Sequence, residues 1–467
     1  MDNRELKYSK KFVWEKLNDI EKKEVFQVGE DYKKFIDASK TERLSIKEIV
    51  RRAEAQGFKP IHEIKEIKPG TKVYYVNKEK SAALAVIGKE EIEKGMNIVG
   101  SHVDSPRIDI KQNPLYEEQG MSLLKTHYYG GIRKYQWVTL PLALYGTVVK
   151  SNGEVIDIAV GDDEKDPIFY ITDLLPHLSK DQDEKKLSAA IEGENLNVII
   201  GSIPADGKDD EKKFKMNVLK ILNEKYGMIE EDFLTAELEI VPAGLARDVG
   251  LDRGMISAYG HDDRVCAYTS LKAIFEVENN AKTAVALFAD KEEVGSNGST
   301  GMHSEFFNNM VAEMIMIEKG NAYSDILLKR ALANSSMLSS DVAAGVDPTY
   351  KDVSEIQNAA VMGQGVALIK FTGSRGKSGA NDANAEYIGK LRKVFNEGNI
   401  TWQTAELGKV DQGGGGTIAY IMANLNMDVV DIGVPVLSMH APFEVVSKTD
   451  VYMTYKAYKI FYNNYNR

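Results

Sequence analysis

The sequence predicts an α/β fold interrupted by a β-rich insertion, and three observations predict it. Short apolar runs end abruptly in charged residues, as buried strands of an open sheet do: residues 283–289 run into Asp290, Lys291, Glu292 and Glu293, and residues 96–100 run into Ser101, His102, Val103 and Asp104. Helix-like and strand-like patterns alternate up to about residue 106 and again from about Gly254. Between them the chain reads as short β-like runs joined by charged, loop-like stretches. The expected domains are a discontinuous α/β domain, 1–106 and 254–467, and an inserted β-rich domain, 107–253. At 467 residues the chain is long for one core, which agrees with two.

Taken in order, Phe12, Val13, Leu17 and Ile20 recur at near-helical spacing, and Ile46, Ile49 and Val50 do so again; these read as packing. Strands are expected at 73–76 and 82–87. His102 and Asp104 stand two apart at the end of the next one, hence on one face. A metal-bound imidazole commonly donates its other ring proton to a carboxylate, so Asp104 could orient His102; a surface hydrogen-bonded pair is the alternative. Pro106 stops the strand. β-like runs in the insertion fall at 138–144, 147–149, 155–160, 198–203 and 238–241.

Where the α/β pattern resumes, Gly260, His261, Asp262, Asp263 and Arg264 open a periodic apolar stretch through Cys266, Leu271 and Ile274. That puts Asp262 and Asp263 at a helix amino terminus, where Asp also serves as an ordinary cap. Next, the strand at 283–289 places Glu292 and Glu293 at its carboxyl end, where ligands collect in open α/β sheets. On an extended backbone the two side chains point opposite ways, so one could bind a metal while the other handles protons; a solvated acidic turn is the alternative. Residues 335–340 run into Asp341, and 429–439 read as one long apolar strand ending at His440. Gly413 to Gly416, ahead of a helix at 417–424, could offer amides to a carboxylate or oxyanion, or could form a tight loop where only glycine fits.

Fifty-nine basic against seventy acidic residues give a net charge of −11 with no long basic patch, which argues against nucleic acid or an anionic membrane as partner. The single cysteine, Cys266, cannot form an internal disulfide, and the start of the sequence carries no apolar secretion signal. No stretch reaches the roughly 18 to 20 apolar residues of a membrane span, so the expected compartment is the cytoplasm.

Two of only seven histidines stand at strand ends beside acidic residues. The candidates collected are His102, Asp262, Glu293, Asp341 and His440, with Glu292 beside them. Imidazole and carboxylate donors without thiolate suit Zn²⁺, Mn²⁺ or Co²⁺. Five protein ligands are too many for one catalytic zinc and right for two divalent ions if one carboxylate bridges. Three carboxylates then leave one net positive charge, which a bridging hydroxide would neutralise.

These residues and their local sequences resemble the M18 family of zinc aminopeptidases, which includes the aspartyl aminopeptidases. The matching pieces are Ser101-His102-Val103-Asp104-Ser105-Pro106, Asp262-Asp263-Arg264-Val265 (family pattern Asp-Asn-Arg-Val), Glu292-Glu293-Val294-Gly295-Ser296, Ser340-Asp341 and Pro435-Val436-Leu437-Ser438-Met439-His440. The resemblance implies a central mixed sheet flanked by helices, of zinc-peptidase type, with an inserted β-rich dimerisation domain, assembled into a dodecamer built from dimers. It implies two metal ions, most simply zinc: Asp262 bridging, His102 and Asp341 completing one site, Glu293 and His440 the other. Glu292 would be the general base, and Asp104 would support His102. Peptides would be the substrates.

Departures from the family pattern concern substrate choice. Where aspartyl aminopeptidases read Met-Ala-His-Ala-Val-His-Pro after the metal-binding Asp, this chain reads Val342-Ala343-Ala344-Gly345-Val346-Asp347-Pro348. Asp181 stands where the second His of Pro-His-Leu-Ala-Ile-His is expected, and residues 371–381 also depart. Lost histidines and an added carboxylate predict a relaxed preference for acidic N-terminal residues, with Lys370 as first and Arg375 as second candidate for a substrate-binding cation. Two other readings fit the same residues: a related di-metal amidohydrolase acting on a non-peptide amide, and an inactive scaffold of the same fold.

Overall fold

The computed structural model describes residues 6, 9–206, 212–378 and 380–466. It divides into two compact units, one of residues 1–104, 246–439 and 444–467, the other of 105–245 and 440–443.

The first unit is built on a nine-stranded mixed sheet. Its centre is four strands running parallel: Thr283–Ala289, Met96–His102, Ser336–Ser340 and Asp428–Gly433, in that spatial order. Ala289 lies opposite His102, and Ser340 opposite Ile432, so the carboxyl ends of these strands come out along one edge. The strands Thr283–Ala289 and Met96–His102 are buried throughout, because both faces of the sheet are covered. Alternate side chains feed two cores: Val99, Ala286, Phe288 and Leu338 join one with Tyr268, Tyr458 and Phe461, while Ile98, Val285, Leu287 and Met337 join the other with Phe307, Met310 and Met314. The helices Asp19–Asp37, His261–Phe275 and Lys448–Asn464 cover the first face, and Phe306–Lys319 the second. The fold is mixed α/β, as the sequence predicts.

Local readings are corrected in two places. Phe12 and Ile20 are 44% and 71% exposed and do not share a helical face. The helix begins only at Asp19, because the Asn18 side chain accepts the amides of Ile20 and Glu21 while Glu21 returns a bond to the Asn18 amide. The expected long strand at 429–439 is two strands in two sheets: Asp428–Gly433 in the large sheet, Pro435–Leu437 in a five-stranded one. Gly433 marks the switch, since a Cβ there would lie 1.8 Å from the Asp341 carbonyl oxygen. The strand Arg247–Val249 pairs with Met255–Ala258 in the first unit.

The second unit is a six-stranded antiparallel sheet of Val155–Val160, Leu142–Val149, Glu237–Pro242, Arg107–Glu118, Met121–Tyr129 and Val198–Gly201, in spatial order. It also carries the helix Lys213–Tyr226. Leu174, Leu175, Leu178 and Leu187 are half or more exposed on it or close to that. Among the described residues no helix is long and apolar enough to cross a membrane.

Candidate metal centre

His102 closes its strand with a buried imidazole whose two nitrogens face different groups. Nδ1 lies 3.2 Å from Asp104 Oδ1 and 3.0 Å from the Asp104 carbonyl. Nε2 lies 3.3 Å from Asp262 Oδ1, 3.9 Å from Glu292 Oε2 and 4.0 Å from Asp341 Oδ1. An N–H on Nδ1 held by Asp104 leaves the Nε2 lone pair for a cation among these carboxylates.

The glutamates are not on an extended strand. After Ala289 the chain enters a short 3₁₀ turn, Glu292–Val294, through Lys291 in the left-handed region. The direction of the two side chains is therefore set by that turn and by Asp104, whose carboxylate accepts the amide of Glu292 at 3.1 Å and of Glu293 at 3.2 Å. One buried carboxylate thus fixes the imidazole and the backbone under both glutamates, a role wider than the sequence suggested. A second carboxylate closes the base of the same loop: buried Asp290 accepts the Thr300 hydroxyl at 2.5 Å and the Lys291 ammonium at 3.1 Å. In the sequence Asp290 reads as part of an acidic run, and its position directly after a buried strand is the one signal of its role.

Asp262 and Asp263 stand in the first turn of the helix His261–Phe275, both off helical geometry and joined by a cis peptide. The Asp262 amide donates to Glu444 Oε2 at 3.0 Å, and Asp263 Oδ2 accepts the His102 amide at 3.2 Å. Asp341 follows its strand directly, on the backbone that crosses Gly433.

Two donor triads emerge within the first unit: one of His102, Asp263 and Asp341, and one of His102, Glu292 and Glu293, each with ligand atoms mutually within 4.8 Å. The electrostatics suit a cation-binding cluster. Burial would lower the His102 pKa, but the ring N–H bonds accepted by the Asp104 and Asp262 carboxylates outweigh it and raise it well above the ordinary value. Burial, then the charge of Asp263, pushes Asp341 far up. Burial also raises Asp263. Buried acids that resist ionisation beside each other are relieved by a divalent ion, and the N and O donor set suits zinc, manganese or cobalt.

His440 opens the stretch 440–443 assigned to the second unit; its Nδ1 is 2.9 Å from the Gly131 carbonyl oxygen. Lys370 is half-exposed and bound to Asp382 at 3.0 Å, a carboxylate that Lys377 also takes at 3.0 Å. Arg375 is exposed in a turn with φ 45°. Gly413 sits where a Cβ would lie 1.9 Å from the Leu407 carbonyl oxygen, so of the two readings of the glycine run the tight loop has direct steric support. His261 is a core residue: Tyr32 holds its Nδ1 at 2.5 Å, and burial lowers its pKa to about 3.

The family model for aminopeptidase I zinc metalloproteases (M18) matches residues 35–462. The chain belongs to the M18 family of metallo-aminopeptidases. A probable M18 family aminopeptidase 1 of Clostridium acetobutylicum is 52% identical over 97% of this chain and 98% of that relative. The crystal structure of the M18 aminopeptidase from Thermotoga maritima superposes with a TM-score of 0.95 at 44% identity, covering 98% of this chain and all of that one. The structure of the S. cerevisiae mApe1 dodecamer shares the fold at 18% identity and a TM-score of 0.74, covering 93% of this chain and 96% of that one.

Proposed function

We propose that this chain is a two-ion aminopeptidase that removes N-terminal residues from peptides. The observation carrying this reading is that His102, Asp341 and Glu293 stand in two donor groups that share His102, with Asp262 3.3 Å from its Nε2, so that even without Glu292 the donors outnumber the three that a single ion with an open position uses. Asp262 would bridge, His102 and Asp341 would hold one ion, and Glu293 with His440 the other. Two such ions supply Lewis acidity for the scissile carbonyl and for a water molecule. Glu292, partly exposed beside the triads, takes the proton of the attacking water and later gives it to the leaving amine. Asp104 keeps His102 and both glutamates in place.

Loss of family histidines at Ala344 and Asp347 leaves little fixed positive charge for an acidic substrate side chain, and Lys370 is already matched by Asp382. An unpaired carboxylate in a closed pocket is costly, so neutral N-terminal residues are accepted as well as Asp or Glu. Self-association runs through the second unit, whose exposed Leu174, Leu175 and Leu178 need cover, with dimers as building blocks of a dodecamer like that named for mApe1. The expected setting is the cytoplasm.

The test is a panel of aminoacyl anilides (Asp, Glu, Leu, Ala, Lys) with metal-free protein reconstituted in turn with Zn²⁺, Mn²⁺ and Co²⁺. Activity should need a free substrate amine; equal cleavage of N-acetylated analogues would instead mean an amidohydrolase. Comparable kcat/KM across the panel is expected. A hundredfold preference for Asp and Glu, about 2.7 kcal/mol, would overturn the relaxed specificity.

A further inference from the structure

The second acid of the Asp262-Asp263 pair has no role in the assignment above, and the family pattern quoted earlier has Asn at its place. Yet Asp263 is fully buried, and besides the His102 amide its carboxylate is met by the Cys266 thiol, a weak donor. Its Oδ2 takes the His102 amide, which fixes the carboxylate against the strand that carries the first candidate ligand. One of its oxygens lies within 4.8 Å of ligand atoms of both His102 and Asp341. A buried carboxylate that leans on a thiol is incompletely satisfied and gains when a cation fills its coordination. A neutral amide would satisfy the His102 bond equally well, so that bond does not account for the negative charge.

We propose that Asp263 is the fourth carboxylate of the metal centre and tightens the ion held by His102 and Asp341. With Asp262, Glu293 and Asp341 it brings four negative charges to two divalent cations, so the protein alone balances the charge of the centre. The two pockets then differ: the one containing Asp263 binds its ion more tightly and exchanges it last. This inference rests on the two-ion reading and goes beyond it by ranking the two sites and by giving Asp263 a ligand's task.

The test is Asp263→Asn, nearly isosteric and still able to accept the His102 amide. Metal-free parent and variant are titrated with Zn²⁺ against a competing chelator, and the Co²⁺-loaded forms are compared by visible absorption. The variant should lose about 10- to 100-fold in affinity at the tighter site, with the weaker one unchanged and the Co²⁺ spectrum altered. Asp263→Ser serves the same comparison if the amide variant does not fold. Unchanged affinities and an unchanged spectrum would overturn the inference, as would equal weakening of both sites. A parent protein that binds one equivalent of metal would instead sink the two-ion reading.

Discussion

Two places in the first unit gather buried or half-buried carboxylates, and they satisfy them by opposite means. In a cleft of about 650 Å³ beside the helices Asp19–Asp37, His261–Phe275 and Lys448–Asn464, the acids are met by the chain itself. Glu276 accepts the Tyr455 hydroxyl at 2.7 Å and the Lys459 ammonium at 2.5 Å, Glu24 accepts Tyr452 at 2.6 Å, and Asp31 takes Tyr268 and Arg52. Burial would raise the Glu276 pKa, but these bonds outweigh it and hold it below its ordinary value. At the candidate metal centre burial wins: Asp263 and Asp341 are pushed well up, with other acids and the shared His102 as their charged neighbours. Large volume alone therefore does not mark the functional site. The cleft is charge-complete; on the proposed reading the second cluster is completed by cations.

The hardest way to break this contrast is through Glu292. If it is the proton carrier and not a ligand, Glu292→Gln keeps both metals and lowers kcat by about 10²- to 10⁴-fold. Elemental analysis decides the point: loss of one metal in this variant would mean that the two glutamates have been exchanged.

A smaller effect is expected at Asp104, which ties the imidazole to the glutamate turn. In Asp104→Asn one acceptor oxygen becomes an NH₂ group, which must face either an amide of the turn or the His102 ring. Metal affinity and kcat/KM should both fall, by about 10- to 100-fold. Retained affinity with normal activity would show that the turn stands without this clamp.

The fold class was legible because its central strands are covered on both faces, so each reads as an uninterrupted apolar run with a charged end. That edge is where His102, Glu292, Glu293 and Asp341 emerge, and strand ends could be read without knowing the sheet order. What stayed hidden depends on through-space contact. The close approach of the Asp341 carbonyl to Gly433, where the chain passes from one sheet to the other, leaves no room for a Cβ, and no local pattern announces it. Asp263 looked like the second half of a helix cap, because its burial beside His102 comes from a crossing of distant segments. Likewise the clasp of Asp290 and Thr300 spans a loop whose closure is not written in its composition.

The smallest expected effect sharpens the other side of the contrast. Glu276→Gln removes a charge that Lys459, Lys272 and Tyr455 share, at a side chain 35% exposed and so partly screened. Stability should fall by about 1 kcal/mol at pH 7, measured by denaturant unfolding of the metal-loaded protein, with kcat and metal content unchanged. The sign of its pH dependence follows from the lowered carboxyl. A group more acidic in the folded state stabilises above its unfolded pKa, and that contribution fades as pH drops through the folded one. The parent should therefore lose its advantage over the variant below about pH 4, the unfolded value for Glu. Were the variant instead to lose metal or turnover, the cleft would be coupled to the strand-end cluster, and the division between a self-satisfied region and a cation-requiring one would fail.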